Sequence, residues 1–265
     1  MTNRTLLLIP HYNSLDSLYV TLASVEAAEQ LDLLVVDDGS NQPPEMQRLQ
    51  QSFLANGKIM LQLLPENQGI TAALNAGLQR AYQGGYDYIA RLDAGDENIG
   101  CRFKLQQDFL DDNPQVGVVG SWVDFVDEQG VDLFTLKHPC DNDVIQKDIY
   151  RYNPFVHPAV MVRLTALKQV GGYPEDYPSL EDWACFLKIG QFFQLANLPQ
   201  VLIRYTVSSN SISSRKRHQQ SCSKCRLLRD NYRCNFNQTK GLLKNLLLLA
   251  IPREVSTRVK KVIFR

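Results

Sequence analysis

Three acidic residues, Asp93, Asp96 and Glu97, are wrapped around Ala94 and Gly95. They follow residues 86–92 (YDYIARL), an apolar run that reads as a buried strand. A strand that delivers carboxylates to its C-terminal end makes a hard, oxygen-rich site, suited to Mg²⁺ or Mn²⁺ carrying a diphosphate. The same residues also read as an acidic strand-to-helix turn, with Asp96 or Glu97 capping a helix near 101–113. A second acidic pair, Glu181 and Asp182, opens a stretch of helical spacing at 180–189, in which Trp183, Phe186 and Leu187 pack inward. Carboxylates in a first turn favour the helix dipole. In the functional reading, one of them stands at a pocket mouth as a general base.

These carboxylates must be positioned by the elements around them. Residues 5–10 (TLLLIP), 31–36 (LDLLVV) and 86–92 are short apolar runs, the mark of buried strands, and 59–64 reads as a further strand. Helical patterns alternate with them, from Ser14 to about residue 29 and from Pro43-Pro44 to Asn56-Gly57. A third spans 70–83, with Ile70, Ala73, Leu74, Gly77, Leu78 and Ala81 on one stripe. Strand and helix alternating through short links mean βαβ units, hence an α/β fold with a Rossmann-like, mostly parallel sheet flanked by helices.

In such sheets ligands gather beyond the carboxyl ends of the strands. The polar clusters fall there: residues 10–13, Asp37-Asp38-Gly39-Ser40, Asn67-Gln68-Gly69, and 93–97. Four convergent polar ends imply that this half holds a ligand. No G-x-G-x-x-G follows the first strand, and there is no G-x-x-x-x-G-K-[ST] loop. A diphosphate here must be neutralised by a metal or by basic side chains.

Farther along, residues 116–124 and 130–136 read as strands joined by a turn at 127–130, and 141–152 as a polar helix. Residues 155–162 carry His157-Pro158 and end in a strand, AVMV; a helix at 165–170 is closed by Gly171-Gly172. His157 either lines the pocket or is a hydrogen-bonded structural histidine.

With 265 residues, 44% hydrophobic and 21% charged, the chain suits one α/β domain with an appendage. Its 28 basic and 28 acidic residues cancel, but unevenly. Residues 215–265 hold 14 Lys/Arg against Asp230 and Glu254, whereas residues 1–214 hold 14 against 26 acids. The opening MTNRTLLLIP has an apolar run too short for a signal peptide, so a reducing, cytosolic setting with free thiols is expected. His218, Cys222, Cys225 and Cys234 offer four zinc ligands, but their last gap is not a common finger spacing. The stretch reads as one basic helix, and structural thiols are the favoured reading.

The assembled motifs resemble the family 2 inverting glycosyltransferases of GT-A fold. The pieces are IPHYN (9–13), VVDDGS (35–40), ENQGITAALNAGL (66–78), RLDAGDE (91–97), HPAVMVR (157–163), VGGYPE (170–175), LEDWACFLKI (180–189) and RYTVSSNSIS (204–213). The resemblance covers about residues 4–214, as the catalytic domain (1–214), and leaves 215–265 as a basic helical extension. It implies that Asp37 and Asp38 contact the base and ribose of a nucleotide, beside Pro10, Tyr12 and Asn13. Gly69 lets the backbone approach the nucleotide, with Asn75 nearby. Asp93 and Asp96 hold the divalent metal (Mn²⁺ or Mg²⁺). Asp182 is the catalytic base, with Glu181 orienting it or the acceptor; His157 and Trp183 are acceptor or pocket residues. The family usually shows Asp-x-Asp-Asp, and here Gly95 takes the third position.

The implied reaction moves a sugar, from UDP-hexose or a similar donor, to a glycan hydroxyl. One carboxylate base and one direct displacement invert the anomeric centre. Family members of this size often build bacterial surface polysaccharide such as O-antigen, lipopolysaccharide or capsule. Residues 215–237 read as a basic helix, and 241–251 (GLLKNLLLLAI) are about half the length needed to span a bilayer. After Pro252, Val255, Val259, Val262 and Ile263 form a stripe opposite Arg258, Lys260, Lys261 and Arg265. Such segments lie in the plane of an anionic membrane, which places the chain at the inner face of the cell membrane near a lipid-linked acceptor. A helix packed on the core with a solvated face is the plainer reading. Nucleic acid fits poorly, because the tail has few stacking aromatics. A nucleotide-sugar-binding protein without catalysis and a sugar-phosphate nucleotidylyltransferase are the alternatives; the latter lacks its Gly-rich, basic N-terminal loop.

Overall fold

The computed structural model describes residues 3–207, 217–231 and 239. The first half runs β1 (Thr5–His11), α1 (Leu15–Ala23), β2 (Asp32–Asp37), α2 (Met46–Ser52), β3 (Ile59–Leu63), α3 (Ile70–Gly84) and β4 (Tyr88–Arg91). These four strands are all parallel, in the order β3-β2-β1-β4. The second half adds β5 (Glu97–Asn98), α4 (Arg102–Asp112), β6 (Val116–Val126), β7 (Asp132–Leu136), α5 (Asn142–Asp148), β8 (Met161–Arg163), α6 (Leu164–Val170), α7 (Glu181–Ile189) and β9 (Gln194–Thr206). They extend the sheet to β3-β2-β1-β4-β8-β6-β9-β5, with β7 hanging from β6 as a hairpin. The α/β, Rossmann-like, mixed sheet expected from the strand–helix alternation is present, parallel throughout its first four strands.

Alternation along the central strands builds two layers. Leu6, Leu8, Leu34 and Val36 face one side with Ala73, Leu74 and Leu78 of α3, while Leu7, Ile9, Leu33 and Val35 face the other with Leu18 and Leu22 of α1. All of these are buried, which explains the unbroken apolar runs. Each fully buried leucine contributes about 1.5–3 kcal/mol.

Several expectations need correction. The first helix stops at Ala23 rather than near residue 29. Ser24 Oγ donates to the Thr21 carbonyl (2.7 Å) and accepts from Asn98 N–H (2.8 Å), which draws the chain out of the helix. Glu29 is thereby freed to accept Phe103 N–H (2.8 Å) and Lys104 N–H (3.0 Å), so the cap of α4 comes from Glu29 rather than from Asp96 or Glu97. Residues 155–160 are not strand: Pro158, which lacks an N–H, sits in a 3-10 turn (His157–Ala159) before β8. The 13-residue β9 gave no clear sequence signal, because Asn197, Pro199 and Gln200 break its alternation and its register against β6 shifts.

Helix α8 (Arg217–Asp230) is the described part of the basic extension. Its Leu227 and Leu228 are buried in the α3-side layer. Arg226 donates to the Asp176 carbonyl (3.2 Å) and Tyr177 OH to Asp230 Oδ2 (3.2 Å). Helix α8 is therefore packed on the α/β core. The His218 side chain, Cys234 and residues 241–265 lie outside the described residues, and with them the four-ligand zinc reading and the amphipathic stripe. Among the described residues no helix is long and apolar enough to cross a membrane.

Candidate active site

The carboxyl ends of β1, β2 and β4 and the start of α7 open onto one cleft of about 2000 Å³. Its walls include Pro10, Tyr12, Asn13, Asp38, Gly69, Asp93, His157, Glu181 and Asp182. Acidic groups far apart in the chain thus meet in one place.

The end of the cleft at which the sequence places a nucleotide is built from loops tied to one another. Asp37 is buried: its Oδ1 accepts from Ser40 Oγ (2.6 Å) and pairs with His11 Nδ1 (2.7 Å), and its Oδ2 accepts from Ser40 N–H (3.0 Å). Asp38 accepts backbone N–H groups from Gln68 (2.8 Å) and Gly69 (2.8 Å), one on each carboxylate oxygen. Asn13 reaches across to the same turn, its N–H donating to Ser40 Oγ (2.8 Å) and its Oδ1 accepting from Asn41 N–H (2.9 Å). Gly39 is compulsory in this packing. Its φ is +71°, and a Cβ there would stand 2.4 Å from the Glu66 carbonyl carbon. Gly69, at φ +92°, has open space around it and is needed for its backbone angle as it starts α3.

Besides Asp96, three assigned residues lie off the cleft wall: Asn75, Trp183 and Asp37. Asn75 clamps the loop after α6: its Nδ2 donates to the Tyr173 carbonyl (2.9 Å) and its Oδ1 accepts from Tyr173 N–H (3.0 Å). Trp183 is wholly buried and donates Nε1–H to the Ile149 carbonyl (2.7 Å), so it is core rather than pocket. Asp37 is likewise a loop anchor behind the wall.

The acidic turn also divides. Asp93 faces the cleft and accepts from Arg91 Nη2 on its Oδ1. Asp96 is buried; its Oδ1 accepts from Thr206 N–H (3.1 Å) and its Oδ2 has no partner. Burial, and then the charge of Asp93, push the Asp96 carboxyl well above its ordinary range. The expected metal pair is therefore split: Asp93 looks into the cleft and Asp96 looks toward β9. Thr21 Oγ1 holds the turn between them, donating to the Asp96 carbonyl (2.8 Å) and accepting from Gly95 N–H (2.9 Å).

One cleft-facing carboxylate from this turn matches the way Mg²⁺ is carried, through one or two carboxylates together with substrate phosphates. Asp93 suits that part. Among the described residues no group of three or more His, Cys, Asp or Glu could close a metal cage by itself.

Asp182 stands in the first turn of α7, with Asn153 Nδ2 donating to its Oδ2 (2.7 Å). Burial raises the carboxyls of both Glu181 and Asp182, and the charge of Asp93 raises each further. Glu181 is more enclosed, and its Oε2 has no partner. A raised carboxyl that remains ionised near neutrality suits a general base.

Sequence reasoning missed the scaffold beneath these groups. Arg91 is completely buried; it donates to the Leu8 carbonyl (2.6 Å) and to His157 Nε2 (3.4 Å) as well as to Asp93. Because arginine only donates, His157 Nε2 accepts, and the ring is neutral with its proton on Nδ1. Burial and the charge of Arg91 hold its pKa well below the ordinary histidine value. Arg102 is equally buried, donating to the carbonyls of Pro158 (2.7 Å) and Arg91 (2.7 Å). Tyr205 also lines the cleft; burial, and then the charges of Asp96, Asp93 and Asp182, raise its hydroxyl pKa. Of these, Arg91 in RLDAGDE, His157 in HPAVMVR and Tyr205 in RYTVSSNSIS carried a signal in the sequence, and Arg102 carried none.

Parallel strands ending in carboxylates over one cleft, with loops tied to one another beside it, define an α/β protein built to hold a polar ligand. The chain matches the family model "Glycosyl transferase family 2" over residues 7–170 and belongs to that family. It is 28% identical over 203 residues (76% of this chain, 72% of the relative) to an Escherichia coli enzyme named UDP-Gal:alpha-D-GlcNAc-diphosphoundecaprenol beta-1,3-galactosyltransferase. It is 30% identical over 154 residues (58% of this chain, 56% of the relative) to the amylovoran biosynthesis glycosyltransferase AmsE of Erwinia amylovora. In fold it resembles the mannosyltransferase PcManGT from Pyrobaculum calidifontis in complex with GDP-Man and Mn²⁺, with TM-score 0.67 and 19% identity, covering 94% of this chain and 70% of that one. S. aureus TarS 1-349 in complex with UDP gives TM-score 0.65 and 19% identity, covering 93% and 71%.

Proposed function

We propose that this glycosyltransferase inverts the anomeric centre of a nucleotide-diphosphate sugar, UDP-hexose by preference, as it moves the sugar to a hydroxyl of a lipid-linked glycan. The setting is assembly of bacterial surface polysaccharide. The observation that carries the reading is the meeting of Asp182 with Asp93 in the cleft whose far end is built by Asp38 and Gly69. The names of the E. coli and Erwinia relatives support the donor class, the lipid-linked acceptor and the pathway class.

Asp182 takes the proton from the acceptor hydroxyl as its oxygen attacks the anomeric carbon, and the nucleoside diphosphate leaves from the opposite face. Asn153 fixes the carboxylate for this step. Glu181 orients the acceptor or its neighbour, and Arg91 holds Asp93 toward the diphosphate. Asp93 would hold a divalent ion (Mn²⁺ or Mg²⁺), which would supply positive charge for the leaving group. The Mn²⁺ in the PcManGT complex supports that ion. The basic extension, residues 215–265, is read as the contact with an anionic membrane at the cytoplasmic face.

A panel of nucleotide sugars, tested for thermal stabilisation with and without Mn²⁺, identifies the donor. Asp182→Asn then separates transfer from binding: loss of transfer with donor stabilisation retained is the expected result. Unchanged transfer removes Asp182 from the mechanism. Should no nucleotide sugar stabilise the protein, the donor reading is wrong.

A further inference from the structure

The hairpin of β6 and β7 carries a row of aromatic side chains that leads out of the cleft. Phe125 pairs in register with Phe134 on one side and with Tyr205 on the other, so the three rings share one face of three adjacent strands. Phe125 and Phe134 stack at 4.7 Å with an interplanar angle of 11°, and Phe125 and Tyr205 meet at 4.8 Å, tilted by 38°. The inner end of the row, Tyr205, lies among the carboxylates and lines the cleft together with Phe125. The outer end, Phe134, is 56% exposed on the edge strand.

The neighbouring rows show why this one stands out. One step inward along the strands, Val123 and Ile203 are fully buried in the core. The aromatic row is therefore the point where that core surfaces beside the site. An exposed phenylalanine stacked on a second ring gains little from the fold itself and presents an ordered apolar face to whatever enters.

We propose that Phe134, with Phe125 behind it, is a binding subsite for an uncharged sugar ring of the acceptor, one or more residues away from the ring that carries the attacked hydroxyl. This rests on the proposed transfer reaction only in calling the bound glycan the acceptor. The nucleotide loops occupy the other end of the cleft, so a molecule on this row is not the nucleotide. The C–H face of a pyranose carries slight positive charge and complements the negative face of an aromatic ring.

Charge decides between a glycan and a lipid surface. Asp127, Glu128 and Asp132 surround the hairpin tip, and carboxylates repel an anionic bilayer while leaving a neutral saccharide indifferent. Leu133 also projects from the hairpin, but on the opposite face from Phe134 by strand alternation.

The test uses the full chain with immobilised neutral oligosaccharides and, separately, vesicles containing phosphatidylglycerol. Phe134→Ala, Phe134→Trp and Asp182→Asn are compared with the parent, and folding is checked by thermal denaturation. The parent should retain a subset of the glycans. Phe134→Ala should retain them about tenfold more weakly, the scale of one aromatic contact. Phe134→Trp should retain them as the parent does, and UDP stabilisation should be the same in all four proteins. Glycan retention that is absent in the parent, or equal in Phe134→Ala, overturns the proposal. So does an effect of Phe134→Ala confined to vesicle binding or to self-association. A protein that retains glycans through Phe134 yet is stabilised by no nucleotide would sink the transfer reading and leave the sugar subsite standing.

Discussion

Asn153 donates its side-chain amide to Asp182 Oδ2 at 2.7 Å, from a loop 29 residues earlier in the chain. That bond favours the ionised carboxylate and fixes its direction, against burial and the charge of Asp93, which both favour the protonated form. Removing it in Asn153→Ala should raise the Asp182 pKa further and lower kcat about tenfold to a hundredfold, the range for a hydrogen bond to a charged group. A pH–rate profile checks this, since the acid limb of the variant should move to higher pH. A merely structural defect would lower the whole profile without shifting that limb.

The parent enzyme should itself show a raised acid limb. A general base works only when deprotonated, so activity must fall as pH drops through its pKa. Burial and Asp93 raise that pKa, which puts the fall above the ordinary aspartate value of about 4. Glu181→Gln should keep at least tenfold more transfer activity than Asp182→Asn, because Glu181 is more enclosed. Equal losses would assign the base to the pair rather than to Asp182.

Asp93 and Asp96 should separate on mutation. Asp93→Ala should abolish the part of donor stabilisation that depends on Mn²⁺. Asp96→Asn should leave it in place, because Asp96 is buried and bonded to Thr206 N–H. Asp96 also predicts a pH effect on stability. Its folded pKa is raised above the unfolded value, so the folded state binds the extra proton. Stability from this group is present below the unfolded pKa of about 4 and is lost as pH rises toward the raised folded value. Thermal melts over that window should show the parent losing ground relative to Asp96→Asn as pH rises.

Gly39→Ala should destabilise the protein and weaken nucleotide binding together. A left-handed backbone angle costs a non-glycine residue about 1–3 kcal/mol, and the added methyl meets backbone of the 66–69 loop. Urea denaturation and UDP-dependent thermal shift should move in parallel. A variant that loses stability but keeps its UDP shift would show that the two loops are not mechanically linked to the site.

Strands β1, β2 and β4 were legible because they are buried on both faces, and β1 and β2 show it as runs of leucine, isoleucine and valine, whereas β3 at the sheet edge is only half-buried. Helix α3 was legible from its stripe of Ala73, Leu74, Gly77, Leu78 and Ala81. The cleft carboxylates Asp38, Asp93 and Asp182 were reached because each directly follows a strand or opens a helix. What stayed hidden depended on distance in space. Nothing near Asn153 announces its contact with Asp182, and Glu29 caps a helix that begins 73 positions later at Arg102. Asn75 and Trp183 were misassigned for the same reason, since residues beside a motif can serve packing alone.

Because each Asp38 oxygen already accepts a backbone N–H, from Gln68 or Gly69, the proposed donor end of the cleft is assembled before any sugar nucleotide arrives. Binding there need not order a disordered loop, so the entropy penalty of recognition is reduced. The aromatic hairpin beyond β6 is more open, with Phe134 56% exposed, so that end is less pre-organised than the end built on Asp38.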